Sequence, residues 1–314
     1  MPSELSPSLI TVIIACFNHG NFLSKAIDSV LAQTYQPIEI IMVDDGSTDN
    51  SKEIAAKYPA VKYIFQSNSG VASARNTGIK HSSGEFILFL DADDWLLPAG
   101  LAINYQFLDD NPKVAFVSGA FKLFKVATKE ESDIQVMVTE KHFNRLLEYN
   151  YISMIATVLF RRWALEEFCF DTSLKASEDY DLYLKIARKY PVLHHTKFIA
   201  IYYFHESNTS YNSLLMMSCS IQAIKKQEPL LISEEERKSL KRGIANWKLF
   251  YSKVIYSRYL MPSQKNNPNK KKEMHALWIN SKSLYFRFFL KKFLHVIQSF
   301  RKKSYSWFFI KGIS

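Results

Sequence analysis

The chain has 314 residues; 47% are apolar, 40 are Lys or Arg and 30 are Asp or Glu, for a net charge of +10. That apolar share excludes wholesale disorder. Three scattered cysteines, Cys16, Cys169 and Cys219, exclude a disulfide framework and fit a reducing compartment. The charge is uneven: residues 264–314 hold 12 basic residues and one acid, Glu273, which leaves 28 basic and 29 acidic residues in the first 263.

In chain order, LITVIIACF (9–17) predicts a buried strand and not a signal peptide, because no basic segment precedes it and it runs straight into Asn-His-Gly. NHGNFLSKAIDSVLAQT places Phe22, Leu23, Ala26, Ile27, Val30 and Leu31 at helical spacing. IEIIMV (38–43) predicts a second strand, STDNSKEIAAKY a helix, VKYIF (61–65) a third strand and SGVASARNTGIKHS a helix opening on Gly70. EFILFL is the fourth strand. Strands alternating with helices at this pitch predict βαβ units and a mostly parallel sheet. Beyond Pro98 come a helix over 99–110, a strand or strand pair at VAFVSGAFKLF, a mixed stretch over 134–163, a helix over 177–190 and a strand over 197–204. From about Tyr211 the pattern is helical, and the polar stretch 262–273 reads as a linker. No apolar run reaches the ~18 residues that a spanning helix needs.

Ligands of an open parallel sheet bind beyond the carboxyl ends of its strands. The polar residues predicted there are Asn18, Asp44, Asp45, Asp91 and Asp93, with Arg75 inside the following helix. FILFLDADDWLLP sets Asp91, Asp93 and Asp94 at the end of a buried strand, a costly place for three charges unless something offsets them. Asp-X-Asp suits Mg²⁺ or Mn²⁺, which takes a few carboxylates and fills its other positions with water and phosphate. An acidic turn capping the next helix is the plainer alternative. In VDDGSTDNS, Asp45 either accepts a hydrogen bond from a base or ribose or belongs to a turn in which Ser47, Thr48 or Asp49 caps a helix. Gly70 offers a phosphate approach and Arg75 a compensating charge. Glu178 and Asp179 fall in a first helical turn, where the dipole favours acids. An ionised carboxylate there can also accept a proton from an attacking hydroxyl. His205 stands alone after a strand, as a core or surface residue, a metal ligand or a phosphate contact.

In this order, VIIACFNHGNFLSKAIDSVLAQTY, EIIMVDDGSTDNS, NSGVASARNTGI, GEFILFLDADDWLLP, SEDYDLYLKIA and HESNTS resemble the family 2 glycosyltransferases of the GT-A fold, over roughly residues 9–210. The resemblance implies a GT-A (Rossmann-like) α/β domain over 1–210, with a nucleotide-binding half at about 9–98 and an acceptor half at about 99–210. A helical extension over 211–263 and a linker with a basic amphipathic tail over 264–314 follow. It also implies a nucleotide-diphospho-sugar donor (a UDP-sugar first), Mn²⁺ or Mg²⁺, and inversion at the anomeric carbon. Carried over by motif, Ala15, Phe17, Asn18, Asp45, Arg75 and Asp91 fall on the nucleotide side. Phe17 would stack near the base, Asp45 would bind it and Asp91 would lie near the ribose. Asp93 would ligate the metal, with His205 near the metal or diphosphate. Asp179 would be the general base, with Glu178 and Trp95 on the acceptor side.

Ala15 stands where the family often has Pro or a hydroxyl, Phe17 where it often has Tyr, and Tyr203 where Arg is common. The Gln-x-x-Arg-Trp motif of processive members is absent, which implies single-sugar transfer to a saccharide or lipid-linked acceptor in surface polysaccharide or glycolipid synthesis. Residues 284–309 carry Phe286, Leu290, Phe293, Ile297 and Phe300 on one stripe, with Arg287, Lys291, Lys292 and Lys302 away from it. Such a helix fits either an anionic membrane, on the inner face of the plasma membrane of the cytoplasm, or the body of the protein or a second subunit. Nucleic acid is not an expected partner. A nucleotidyltransferase and a non-catalytic sugar-nucleotide binder remain as alternatives; the first would normally begin with a Gly-rich basic loop, which ACFNHGNF is not.

Overall fold

The computed structural model describes residues 7–260 and 269–290. Its first half is built from β1 (Ile10–Cys16), α1 (Gly20–Leu31), β2 (Ile38–Asp44), α2 (Ser51–Ala55), β3 (Val61–Phe65), α3 (Val71–His81) and β4 (Phe86–Asp91). All seven residues of β1 are buried. Their alternation is two-sided: Ile10, Val12, Ile14 and Cys16 face one apolar layer with Leu23, Ala26, Ile27 and Val30 of α1, while Ile13 and Ala15 face the other with Ala72 and Ala74 of α3. A strand buried on both faces carries no polar alternation, which is why these segments read as continuous apolar runs.

The second half contains β5 (Trp95–Leu96), α4 (Gly100–Asp109), β6 (Phe116–Lys125), β7 (Glu130–Ile134), α5 (His142–Glu148), β8 (Val158–Arg161), α6 (Arg162–Glu167), α7 (Glu178–Lys189) and β9 (Leu193–Phe204). The strand order is β3-β2-β1-β4-β8-β6-β9-β5, with β7 paired to β6. The expected sheet is parallel across β3-β2-β1-β4 and mixed beyond it. There β8 runs antiparallel to β4 and β6, β9 parallel to β6, and β5 antiparallel to β9. Only Ala92, Asp93 and Asp94 separate β4 from β5 in sequence, yet β5 lies at the far end of the strand order. The sheet must therefore curl back on itself, and the acidic turn closes the gap.

The helical C-terminal region follows as α8 (Ser213–Lys225), α9 (Glu234–Leu260) and α10 (Lys270–Asn280). The polar stretch expected as a linker through residue 273 is already helical from Lys270, because Glu273 is buried against α9, where it pairs with Arg258 at 3.0 Å and accepts from the Tyr259 hydroxyl at 2.5 Å.

The long α9 lies across α5, and Gly243 makes the approach possible: a Cβ there would lie 1.9 Å from the Leu147 carbonyl oxygen. Helix propensity alone would make Gly243→Ala stabilising by roughly 1 kcal/mol, whereas overlap with a backbone atom costs about 1–3 kcal/mol. Gly243→Ala is expected to lower the melting temperature; an unchanged or raised value would remove the close approach as the reason for glycine.

Candidate active site

The topological switch of the parallel half lies between β1 and β4, where Ala15 pairs with Asp91. Around this point the sequence-predicted nucleotide residues fall into two groups. Asn18, at φ +56°, donates its backbone N–H to Ser47 Oγ (2.9 Å) and accepts from the Thr48 N–H (2.7 Å), so it ties the loop after β1 to the loop after β2. Asp44 accepts from the Ser47 N–H and the Tyr63 hydroxyl, each at 2.8 Å. Asp45 is buried and accepts from Gln66 Nε2 (2.7 Å) and from the N–H groups of Ser69 (2.9 Å) and Gly70 (2.8 Å), which fixes the start of α3. A carboxylate has about four acceptor positions, and three are used here. Phe17 is 45% exposed, an open ring at the same rim. Gly46, at φ +83°, turns the chain where a side chain would meet the Asn68 N–H at 2.8 Å.

The acidic turn is not a helix cap. The next helix, α4, starts at Gly100 with Ala99 before it. Asp94 Oδ1 instead accepts from the Tyr203 N–H at 2.9 Å and so fastens β9. Asp93 Oδ2 lies 3.1 Å from His205 Nε2, accepts from Asn208 Nδ2 at 3.0 Å, and is 4.0 Å from His19 Nε2. Burial, followed by the neighbouring Asp91, pushes the Asp93 carboxyl above its ordinary range; burial, then Asp93 and Asp91, push Asp94 well above it. His19 and His205 beside Asp93, and Arg75 toward Asp94, oppose this rise without cancelling it. Asp93 and His205 offer an oxygen and a nitrogen to a divalent cation, and no cluster of three or more His, Cys, Asp or Glu side chains among the described residues is arranged to hold one. Two protein donors beside an electron-rich turn fit Mg²⁺ or Mn²⁺, which completes its shell with ligand phosphate and water.

Ser177, at φ +60°, precedes α7, its hydroxyl 3.2 Å from that of Ser220 on α8. Glu178 is buried and meets Arg75 Nη1 at 2.5 Å; Arg75 Nη2 meets Asp91 at 2.6 Å. One guanidinium thus joins the residue two before Asp93 to the residue next to Asp179. The Asp179 carboxyl is pushed up to about 7, chiefly by desolvation and then by Glu178, against the opposing pull of Arg75.

Aromatic rings flank Asp93. Phe22 of α1 stacks on His205 with centroids 5.1 Å apart, Tyr203 packs on Trp95 at 5.2 Å and on Phe124 at 5.5 Å, and Lys25 Nζ sits 3.2 Å above the Trp95 ring. Trp95 and His205 are legible in the sequence as site candidates; His19, Phe22, Lys25 and Asn208 join them only through the fold. Asn208, three residues after His205 in HESN, was the one with a local signal.

The sequence pattern of the family described as Glycosyl transferase family 2 matches residues 11–168. The chain belongs to this family. An uncharacterized glycosyltransferase of Rickettsia typhi is 32% identical over 246 residues, 71% of this chain and 75% of that one. Other curated relatives are longer: the chain spans 31% of a Rickettsia conorii glycosyltransferase that is 33% identical over 188 residues, 59% of this chain. Among solved structures, S. aureus TarS residues 1–349 superpose with a TM-score of 0.60 at 21% identity, covering 89% of this chain and 80% of that one. A mannosyltransferase from Pyrobaculum calidifontis, in complex with GDP-Man and Mn²⁺, gives 0.59 at 18% identity over 92% and 85%. The fold of this family 2 glycosyltransferase is accordingly of the GT-A type, with a helical C-terminal region.

The raised Asp179 has a consequence for stability. An unfolded Asp releases its proton near pH ~3.9, whereas the folded one holds it to about 7. Between these values the folded state binds more protons, so stability falls as pH rises through the window. Asp179→Asn removes that loss. Its melting temperature is expected to exceed that of the parent above pH 7, with the difference vanishing below pH ~4; equal melting curves at pH 8 would contradict the desolvated carboxyl.

Proposed function

We propose that this glycosyltransferase moves one sugar from a nucleotide-diphospho-sugar to an acceptor hydroxyl with inversion. The observation that supports the reading is the Arg75 bridge, which ties Asp91, two residues before Asp93, to Glu178, the neighbour of Asp179. The open ring of Phe17 and the remaining acceptor position of Asp45 are assigned to the nucleotide base, and Asp91, beside Ala15 at the end of β4, to the ribose. Glu178 and Trp95 border the acceptor side. Asp179 takes the proton of the acceptor hydroxyl while that oxygen attacks the anomeric carbon. The bond from that carbon to the diphosphate breaks on the opposite face, and its electron pair leaves with the nucleoside diphosphate. A divalent cation held by Asp93 and His205 would supply the charge that stabilises this leaving group. One base and one stabilised leaving group suffice; the close carboxyl pair of a retaining hydrolase, ~5 Å apart, is not required.

S. aureus TarS has been solved with UDP and with UDP-GlcNAc, and the mannosyltransferase with GDP-Man. A UDP-sugar is therefore the first donor to test, and a saccharide or lipid-linked hydroxyl the acceptor class, in keeping with surface polysaccharide or glycolipid synthesis. The full chain with Mn²⁺ should release nucleoside diphosphate slowly from one member of a panel of UDP-glucose, UDP-galactose, UDP-GlcNAc and GDP-mannose. Asp179→Asn should keep donor affinity and lose turnover by about 10²-fold or more, and Asp93→Ala should lose the Mn²⁺-dependent part of donor binding. With UTP or GTP and a sugar 1-phosphate supplied instead, release of pyrophosphate and formation of the nucleotide sugar would point to a nucleotidyltransferase, and donor binding without any release to a non-catalytic binder; either outcome sinks the reading.

The C-terminal helices favour a membrane location. Trp278, Ile279, Phe286, Phe289 and Leu290 are exposed, and the Trp278 ring touches Phe286 at 5.6 Å with Lys282 Nζ 5.3 Å from it. Phe293, Ile297 and Phe300 of the expected stripe lie outside the described residues. No helix among those described is long and apolar enough to cross a bilayer. An aromatic surface set in a strongly basic segment suits anionic lipid at the inner face of the plasma membrane. The full chain should co-sediment with vesicles of phosphatidylglycerol and phosphatidylcholine, weakly with phosphatidylcholine alone, and less as salt rises. The triple variant Trp278→Ser, Phe286→Ser, Phe289→Ser should lose this binding; undiminished binding would exclude the surface.

A further inference from the structure

Read from sequence, Arg75 serves the phosphates of the nucleotide. Its setting in the fold points elsewhere. Arg75 is 3% exposed. Its two terminal nitrogens are taken by Glu178 and Asp91, and the Phe170 ring lies 5.4 Å from its central carbon. Both terminal nitrogens are thus committed to protein carboxylates, while Nε is buried with no hydrogen-bond partner among the described residues. The helix that carries it is fixed at its start by Asp45, through the Ser69 and Gly70 N–H groups. A continuous set of contacts therefore runs from the loop after β2, through α3, to the ends of β4 and α7.

We propose that Arg75 is a positioning residue and not a nucleotide ligand: by gripping Asp91 of β4 and Glu178 of α7 with one planar group, it sets where Asp179 stands relative to the donor rim. The proposal rests on Asp179 being the base. The geometry asks for arginine. Two carboxylates on separate elements need two donors in a fixed fork, and a lysine ammonium on a flexible stem matches that fork poorly. The groups acting most strongly on Asp179 or sensing it include Arg75 from α3, Asp91 from β4, Glu178 and Tyr183 from α7, and Tyr251 from α9. Arg75 is the one cation among them. It thus also opposes the desolvation that keeps Asp179 protonated.

The test uses the full chain with Mn²⁺ and whichever of the four panel sugars gives the fastest release of nucleoside diphosphate, with kcat and donor KM followed from below to above neutral pH. Arg75→Gln is expected to lower kcat about 10- to 100-fold, to leave donor KM within about threefold, and to move the inflection of kcat to higher pH. Arg75→Lys, which keeps the charge and loses the fork, should recover part of the kcat and part of the inflection. Glu178→Gln breaks one side of the Arg75 grip and removes a negative neighbour of Asp179, so kcat should fall as in Arg75→Gln while the inflection moves to lower pH; this arm separates the loss of positioning from the loss of charge even if Arg75→Gln does not fold. A tenfold or larger rise in donor KM on Arg75→Lys, with the inflection unmoved, would make Arg75 a nucleotide ligand and overturn the proposal. Normal turnover by Asp179→Asn would instead overturn the base assignment. An inactive Asp179→Asn beside an unmoved inflection in the Arg75 and Glu178 variants would sink the positioning role alone.

Discussion

A guanidinium buried between two carboxylates depends on both of them. Taking Arg75 out of water is tolerable because Asp91 and Glu178 meet it on adjacent nitrogens, and losing one partner from such a set commonly costs about 3–5 kcal/mol through the charge left behind. The constraint reaches beyond these three side chains. Asp91 ends the central parallel strand pair, Glu178 begins a helix of the second half, and α3 carries Arg75 between them. Where the ion triad forms, the two halves of the domain meet at a fixed spacing.

The rim around this triad is made of side chains that organise loops. Asn18, Asp44, Asp45 and Asp49 each accept backbone N–H bonds from segments far away in sequence or a turn ahead. The plainer reading of VDDGSTDNS, a turn that caps, and the sharper one, a ligand contact, are thus compatible: a carboxylate that has fixed a loop can still offer one more acceptor position. The acidic turn is different. Asp93 and Asp94 have few donors and several acidic neighbours, and they are held in place by β9 and by Asn208. Their unmet need for positive charge is what the sequence FILFLDADDW first raised.

The parallel half was legible because its strands are buried on both faces, so apolar runs ending in polar residues mark both strand and rim. The helix expected over STDNSKEIAAKY shrinks to the five residues of α2; Asp49, ahead of it, accepts from the Ser51 N–H at the helix start and from the Gly20 N–H of α1. β7 has the sequence EESDI, without alternation, and exists through its hairpin with β6. β5 is two residues long and is defined only by its partner β9. The union of Arg75 with Glu178 spans 103 positions, and no local pattern announces it. What could be read were residue types at strand ends; what could not were the partners that tertiary folding gives them.

The three-residue span between β4 and β5 has an evolutionary corollary. Ala92, Asp93 and Asp94 close a curled sheet with no spare chain, so lengthening or shortening that span would pull on both of its edges at once. Changes of length in such a scaffold are consequently excluded from the carboxylate turn. Segments such as 126–129 and 135–141, which hold no partner of Asp93, can change length while the sheet keeps its curvature.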